Sequence, residues 1–324
     1  MSTSADSRTP EHSSPAEETW RGGFEAAQRT LFDAVGLDAK STFIDLGHPY
    51  GRTHVFEAGS STDDVPLLFV HGTAAFGAFL SPLMAQFGDA RVVGFDRPGY
   101  GLSEAFVCTE QNLRQTVVDV IGGVVDELNI EQVDLVGHSM GGHAGILFAN
   151  AHPERVRNLL LVGGIPAFPG TRPPLPLRAL TVPLLNRVIR RLQKPDEAGV
   201  LDIAEVFGER DAIQDYPAFI QAIAAHERDP NSAAAGLSEF NALLSIRGWH
   251  RSVRISDEEL RGLEHPTTMV WGEHDPLGRP DDVRASVQLI PNARFESVAS
   301  GHIPYLRHPE QCAQFIREAR KSPQ

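Results

Sequence analysis

Several familiar routes to function are closed by what this chain lacks. It has only two cysteines in 324 residues, Cys108 and Cys312, far apart in sequence. No disulfide framework and no Cys-x-x-Cys pair follows from them, which sets aside zinc-ribbon and dithiol redox chemistry and makes a reducing cytoplasm the simplest compartment. No apolar run approaches the ~18–20 residues of a membrane span. The N-terminal "MSTSADSRTPEHSSPAEET" lacks the apolar core of a signal peptide and reads as a disordered tail over residues 1–19. Positive charge is scarce: 29 Lys and Arg against 42 Asp and Glu leave a net charge of −13, a poor basis for nucleic-acid binding. No G-x-G-x-x-G follows a strand, no Lys follows a glycine-rich turn as in a phosphate loop, and none of the 13 histidines has H-E-x-x-H spacing. Neither a dinucleotide nor a metal is implied, and no cofactor is expected.

What is present is ordinary globular material, 41% hydrophobic and 22% charged, enough for a large core. "STFIDLGHPYGRTHVFEAG" predicts two strands around a glycine turn. "PLLFVHG", "RVVGFDRPGYGLS", "QVDLVGHS" and "VRNLLLVGG" predict buried strands that run into glycine-rich loops. Helical spacing in "NLRQTVVDVIGGVVDELNI" and "MGGHAGILFANAHPE" alternates with them. Strands that are apolar throughout and alternate with helices predict an α/β fold: a mostly parallel central sheet flanked by helices. The rhythm breaks after Gly164. Prolines crowd "IPAFPGTRPPLPLRAL", and helical patterns then run without a strand signal to "TTMVWGEHD". This predicts an all-helical insertion over 165–262 in a core formed by 20–164 and 263–324. Its first helix, Leu177 to Leu192, gathers Leu180, Leu184, Leu185, Val188, Ile189 and Leu192 on one face. That face is expected to cover a pocket rather than a membrane. Ser256 to Glu259 has capping-box spacing and opens a short return helix.

One stretch carries chemistry. In "VDLVGHSMGG", Gly137-His138-Ser139-Met140-Gly141 fits G-x-S-x-G, with a buried strand before it and a helix after. A turn that sharp forces Ser139 into a strained backbone conformation and brings neighbouring backbone close, so the flanking positions need glycine. The hydroxyl then projects above the sheet edge, and the Met140 N–H points into the same space. A serine hydroxyl needs a base. His138 is expected to point away through the turn, His71 to brace a loop, and His152 and His308 to be structural. His302, in the "SGH" loop between the last strand and the last helix, can be carried over Ser139. The base in turn needs an acid to hold its tautomer. Glu273 and Asp275 end a strand in "WGEHDP"; Asp275 is preferred because it sits further into the loop, before Pro276.

The chain order Ser139, Asp275, His302, with these loops in register, resembles the α/β-hydrolase family from about Trp20 onward. "VHGTAAFG" is similar to that family's oxyanion loop. "GFDRPGYGLS" is similar to a structural loop in which Asp96 and Arg97 pin the fold. "MVWGEHDPLG" and "SGHIPYLRHPEQ" are similar to the acid and histidine loops. The resemblance implies that the Thr73 and Met140 backbone N–H groups form the oxyanion hole and that the helical insertion is a cap. It also implies a carboxylesterase-like serine hydrolase whose partner is a small or medium, largely apolar ester. Phe76, Phe79 and Phe168 are candidates for the pocket wall. A second enzymatic reading is carbon–carbon bond hydrolysis of diketone acids. Relatives of that kind usually carry Trp after the catalytic His, where this chain has Ile303. They also use a cap arginine, for which Arg172, Arg178, Arg187, Arg190 and Arg191 all qualify. A non-enzymatic ligand receptor on the same fold is the alternative from a different class.

Overall fold

The structure, a computed structural model, describes residues 15–59, 65–192 and 194–321. The first helix, α1 (Pro15–Val35), starts earlier than the sequence suggests: residues 15–19 are helical rather than part of a tail, and residues 1–14 lie outside the described residues. The reason is amphipathic contact. Trp20 donates its indole N–H to the Ala225 carbonyl at 2.8 Å, and Phe24 is fully buried. Strands β1 (Lys40–Asp45) and β2 (Arg52–Ala58) form the expected hairpin.

The alternation then unfolds as the hydrophobic pattern predicts. It comprises β3 (Leu67–Val70), α2 (Ser81–Met84), β4 (Val92–Phe95), α3 (Leu113–Glu127), β5 (Val133–His138), α4 (Met140–Ala151) and β6 (Val156–Val162). Strands β3, β4 and β5 are buried at every residue, which is why they lack a polar face.

Between β6 and the next sheet strand lie α5 (Leu175–Leu180), α6 (Pro183–Leu192), α7 (Glu197–Val206), α8 (Arg210–Gln214), α9 (Pro217–His226) and α10 (Pro230–Leu243). Three details correct the reading of this segment. It is not all-helical, because β7 (Leu244–Ser245) and β8 (Gly248–Trp249) form a small antiparallel hairpin. Such short strands carry no periodicity, and Gly248 at φ +119° makes the turn. The single helix expected up to Leu192 is broken before Pro183, since the residue preceding a proline is driven out of the helical region. The apolar face of α6 is also not a pocket cover: Leu184, Leu185 and Val188 are 68%, 46% and 50% exposed. Helix α11 (Asp257–Arg261) opens on the expected capping box, with Ser256 Oγ accepting from the Glu259 N–H at 3.2 Å.

The chain closes with β9 (Thr267–Gly272), α12 (Pro280–Val287), β10 (Ala293–Val298), α13 (Pro304–Arg307) and α14 (Pro309–Lys321). The sheet has eight strands in the order β1-β2-β4-β3-β5-β6-β9-β10, parallel from β4 to β10. Two apolar layers cover its faces, one around Phe148, Leu159 and Trp271, the other around Phe56, Phe69 and Leu160. Each such side chain contributes about 1.5–3 kcal/mol. Parallel strands put their C-terminal ends on one rim. The pairings Val70 with Gly137, His138 with Val162, and Gly272 with Val298 bring the loops after β3, β5, β9 and β10 to one level. Side chains more than 130 residues apart in sequence are thereby brought to one place on the rim.

Candidate active site

Ser139 sits at the turn from β5 into α4 with φ +53° and ψ −116°, a conformation that L-residues rarely adopt. The flanking glycines are steric necessities. A Cβ at Gly137 would lie 2.4 Å from the Gly141 carbonyl oxygen, and one at Gly141 would lie 1.9 Å from that of Val70. The strain aims the hydroxyl at the rim, where it meets an imidazole.

His302 follows β10 in the loop before α13. Its Nδ1–H donates to Asp275 Oδ2 at 2.8 Å, leaving Nε2 to accept from the Ser139 hydroxyl at 2.9 Å. Asp275, just past β9, is buried. Its carboxylate also accepts from the Gly164 N–H at 2.7 Å and the Leu277 N–H at 2.8 Å, so its orientation is fixed from three sides. Gly164 has to be glycine here, because a Cβ would reach within 2.6 Å of Asp275 Oδ2. Glu273, the other candidate acid, is exposed. The structure therefore brings Ser139, His302 and Asp275 into one hydrogen-bonded chain.

The oxyanion candidates flank the serine. Met140 opens α4, so its N–H has no carbonyl one turn back to donate to. Thr73 follows Gly72, whose Cβ position would lie 3.1 Å from Ser139 Cβ, and both residues border the same cavity as Ser139. The loop holding Thr73 is braced from behind. The Gly72 carbonyl accepts from His71 Nδ1 at 2.8 Å and from Arg97 Nη2 at 2.9 Å, while His71 Nε2 accepts from the Arg97 N–H. Burial pushes His71 down to about 3, which keeps this brace neutral. Arg97 in turn forks onto Glu239 of α10 at 2.6 and 3.0 Å, and Glu239 accepts from the Tyr100 hydroxyl at 2.7 Å. Burial alone would raise the Glu239 carboxyl; the charge and hydrogen bonds of Arg97 hold it below the usual carboxylate range. Asp96 pins the fold as expected, accepting from the Gly77 and Leu102 N–H groups and from His54.

Three expectations change. His138 does not point away: it packs beside His302, with ring centroids 5.1 Å apart, and Nε2 donates to the His302 carbonyl at 3.1 Å. Burial holds it well below an ordinary histidine, so it remains neutral. Of the three candidate pocket aromatics, only Phe79 lines the cavity. Phe76 is buried between Phe24 and His226, and Phe168 packs on Trp271 beneath the rim, because core packing claims large rings first. Sequence reasoning missed Phe207, Glu209 and Glu239, all from the segment between β6 and β9.

The cleft above Ser139 spans about 870 Å³ of empty space, open solvent at its mouth included. Its walls are apolar, with Leu177, Ile203, Phe207, Phe240 and Leu277 among them; Glu227 is a lining carboxylate, and among the described residues no Lys or Arg lines it. No helix among the described residues is long and apolar enough to cross a membrane.

Residues 65–309 match the family described as alpha/beta hydrolase fold. The chain belongs to the α/β-hydrolase family. A curated relative is the 2-hydroxy-6-oxononadienedioate/2-hydroxy-6-oxononatrienedioate hydrolase of Paraburkholderia phymatum. It is 29% identical over 273 residues, 82% of this chain and 89% of that protein. Among solved structures, carboxylesterase CesB from Bacillus subtilis superposes with a TM-score of 0.73 at 19% identity, covering 94% of this chain and 100% of that one. The 2-hydroxy-6-oxo-6-phenylhexa-2,4-dienoate hydrolase of Rhodococcus gives 0.70 at 19% identity, covering 88% and 100%. The two structures share the α/β-hydrolase fold with this chain, and hydrolase activity follows from the family.

Proposed function

We propose that this α/β-hydrolase cleaves an uncharged, largely apolar carboxylic ester through an acyl-enzyme on Ser139. The observation that carries this reading is the apolar cavity open to Ser139, with no cation among its described lining residues. In the proposed cycle His302 takes the Ser139 proton as the oxygen attacks the carbonyl, and Asp275 holds the resulting imidazolium. The Thr73 and Met140 N–H groups receive the oxyanion, each contributing about 2.7–4 kcal/mol to the barrier reduction. His302 then protonates the leaving alkoxide, and water repeats the sequence in reverse. Residues 165–262 act as the cap over a core of 20–164 and 263–324.

The second reading is carbon–carbon bond hydrolysis, and the name of the Paraburkholderia phymatum relative favours it. The compound in that name is a dioate. Seating a carboxylate in an apolar cavity without a cation costs several kcal/mol, and Arg97, the buried guanidinium nearby, is already committed to Glu239. This argues for a neutral substrate whichever bond is broken.

A parallel screen of p-nitrophenyl esters of increasing acyl length and of diketone acids separates the readings. Wild type is expected to turn over the esters steadily, and Ser139→Ala to lose on the order of 10³-fold or more in kcat while remaining folded. Turnover of the diketone acids alone would replace the ester reading. A burst of one equivalent of p-nitrophenol without turnover would favour a receptor.

A further inference from the structure

The segment between β6 and β9 reaches behind His302 as well as over it. Past α7, the turn Phe207-Gly208-Glu209 meets the loop that carries His302 at four points. The Phe207 carbonyl accepts from the His302 N–H at 3.0 Å. Glu209 Oε1 accepts from the Ile303 N–H at 2.7 Å. The Phe207 ring stacks on the His302 ring with centroids 5.1 Å apart and 30° between planes. Gly301 lies so close that a Cβ there would stand 2.3 Å from the Phe207 oxygen. Gly208, at φ +71°, makes the turn possible. Two consecutive backbone N–H groups, those of the imidazole-bearing residue and its successor, are thus both held by this turn.

Glu209 is the unusual member. Its side chain is fully buried, and among the described residues Oε2 has no hydrogen-bond partner. A carboxyl is costly to bury, and a surface turn would not ordinarily place one there. Its fixed acceptor, Oε1, serves the Ile303 N–H whether or not the acid carries its proton. The Ile303 N–H would otherwise be an orphan at the entry to α13, beneath the pocket wall that Ile303 itself forms. A shift there would carry His302 with it, and a displacement near 1 Å is enough to lower catalysis about 10²-fold.

We infer that Glu209 is a positioning residue for the catalytic base: by holding the Ile303 N–H it sets the His302 loop against Ser139. This rests on the reading of Ser139, His302 and Asp275 as the reacting groups. The cap then supplies part of the catalytic scaffold as well as the roof of the cavity.

The test uses p-nitrophenyl acetate and the full chain, with melting temperature recorded for every variant. Glu209→Gln keeps an oxygen acceptor at the same reach and is expected to hold kcat within about threefold. Glu209→Asp keeps the carboxyl but withdraws it by one methylene, so it is expected to lose about 10- to 100-fold in kcat with KM within about twofold. The reverse order, Asp active and Gln inactive, would overturn the inference by showing that charge rather than reach matters. Full kcat in a folded Glu209→Asp would also overturn it. If the Asp variant fails to fold, Glu209→Met, which fills similar volume without an acceptor, decides: a kcat loss above threefold relative to Glu209→Gln supports positioning, and a kcat within threefold of it refutes the inference. Ser139→Ala is run alongside. If it retains activity, the triad reading has failed; if it is inactive while Glu209→Asp is fully active, only the positioning role has failed.

Discussion

The helices of the segment between β6 and β9 fall into two sets that relate to the core in opposite ways. Helices α7 to α10 are tied to the sheet rim by buried polar bonds, Glu209 to the Ile303 N–H, Phe207 to the His302 N–H and Glu239 to Arg97 and Tyr100, and to α1 by the half-buried bond from the Trp20 indole to Ala225. Helices α5 and α6 leave Leu175, Leu184 and Val188 at 70%, 68% and 50% exposure. Helix α5 meets the hairpin through hydrogen bonds from the half-buried Arg178 side chain to the carbonyl of the exposed Ile246. The difference teaches that a cap is not one device. The half bound by directional bonds helps to build the site, whereas the half that only continues the helical pattern does not reach it beyond Leu177.

Removing the strongest of those bonds should break the contrast most visibly. The Arg97–Glu239 pair has side chains only 7% and 4% exposed. Glu239→Ala leaves a guanidinium buried with no counter-charge, and such losses run to about 3–5 kcal/mol. Urea unfolding followed by circular dichroism should show a loss of that order. A change below about 1 kcal/mol would mean that α10 is no better anchored than α6. Replacing both partners by a well-packed apolar pair should cost far less, because the desolvation of the two charges disappears with them.

Glu209 sharpens the comparison through pH. Burial raises its carboxyl to about 7, with the Ile303 N–H, His302 and Arg307 pulling it down and Asp275 pushing it up. Tyr305, also buried, faces it from α13. An acid whose folded value lies above its unfolded value binds more protons when folded. Stability is therefore lost as pH rises from about 4.5 to about 7 and stays reduced above that. Glu209→Gln carries no such penalty. It should be more stable than wild type at pH 8 by on the order of 2–3 kcal/mol, with the gap closing toward pH 5. Melting curves at both pH values check this; an equal difference at each would mean that Glu209 does not titrate in that range.

How much of this could be read from residues alone depends on how local the cause is. The constraint on Ser139 is covalent geometry: a sharp turn excludes side chains at positions 137 and 141, and the glycines record it. Asp275 and His302 were reachable because strand ends and loops follow from hydrophobic runs, and parallel strands share a rim. Choosing Asp275 over the exposed Glu273 needed only its place in the loop. Glu209 and Glu239 had no such mark. Glu209 lies in a charged stretch that signals solvent, Glu239 is the lone charge of its helix with nothing nearby in sequence to name a partner, and each finds its partner 94 or 142 residues away. Phe76 and Phe168 were near the site in sequence, but volume decides which ring faces a cavity and which fills a core. His138 was misread for a related reason, since the space beside it is filled by a loop 164 positions on.

The smallest predicted effect belongs to α6 and concerns what periodicity can mean. Its spacing demands an apolar face but does not say what that face meets. Because Leu184, Leu185 and Val188 keep roughly half or more of their surface in water, replacing any one with Ser removes little buried area. Each single change should alter stability by no more than about 0.5–1 kcal/mol, mostly through lost helix propensity. Phe219 on α9 is fully buried, and there the corresponding truncation to Ala should cost about 3–5 kcal/mol. If the α6 variants were as damaging as Phe219→Ala, that face would be covered in the folded protein, and the distinction between the anchored and unanchored halves of the segment would collapse.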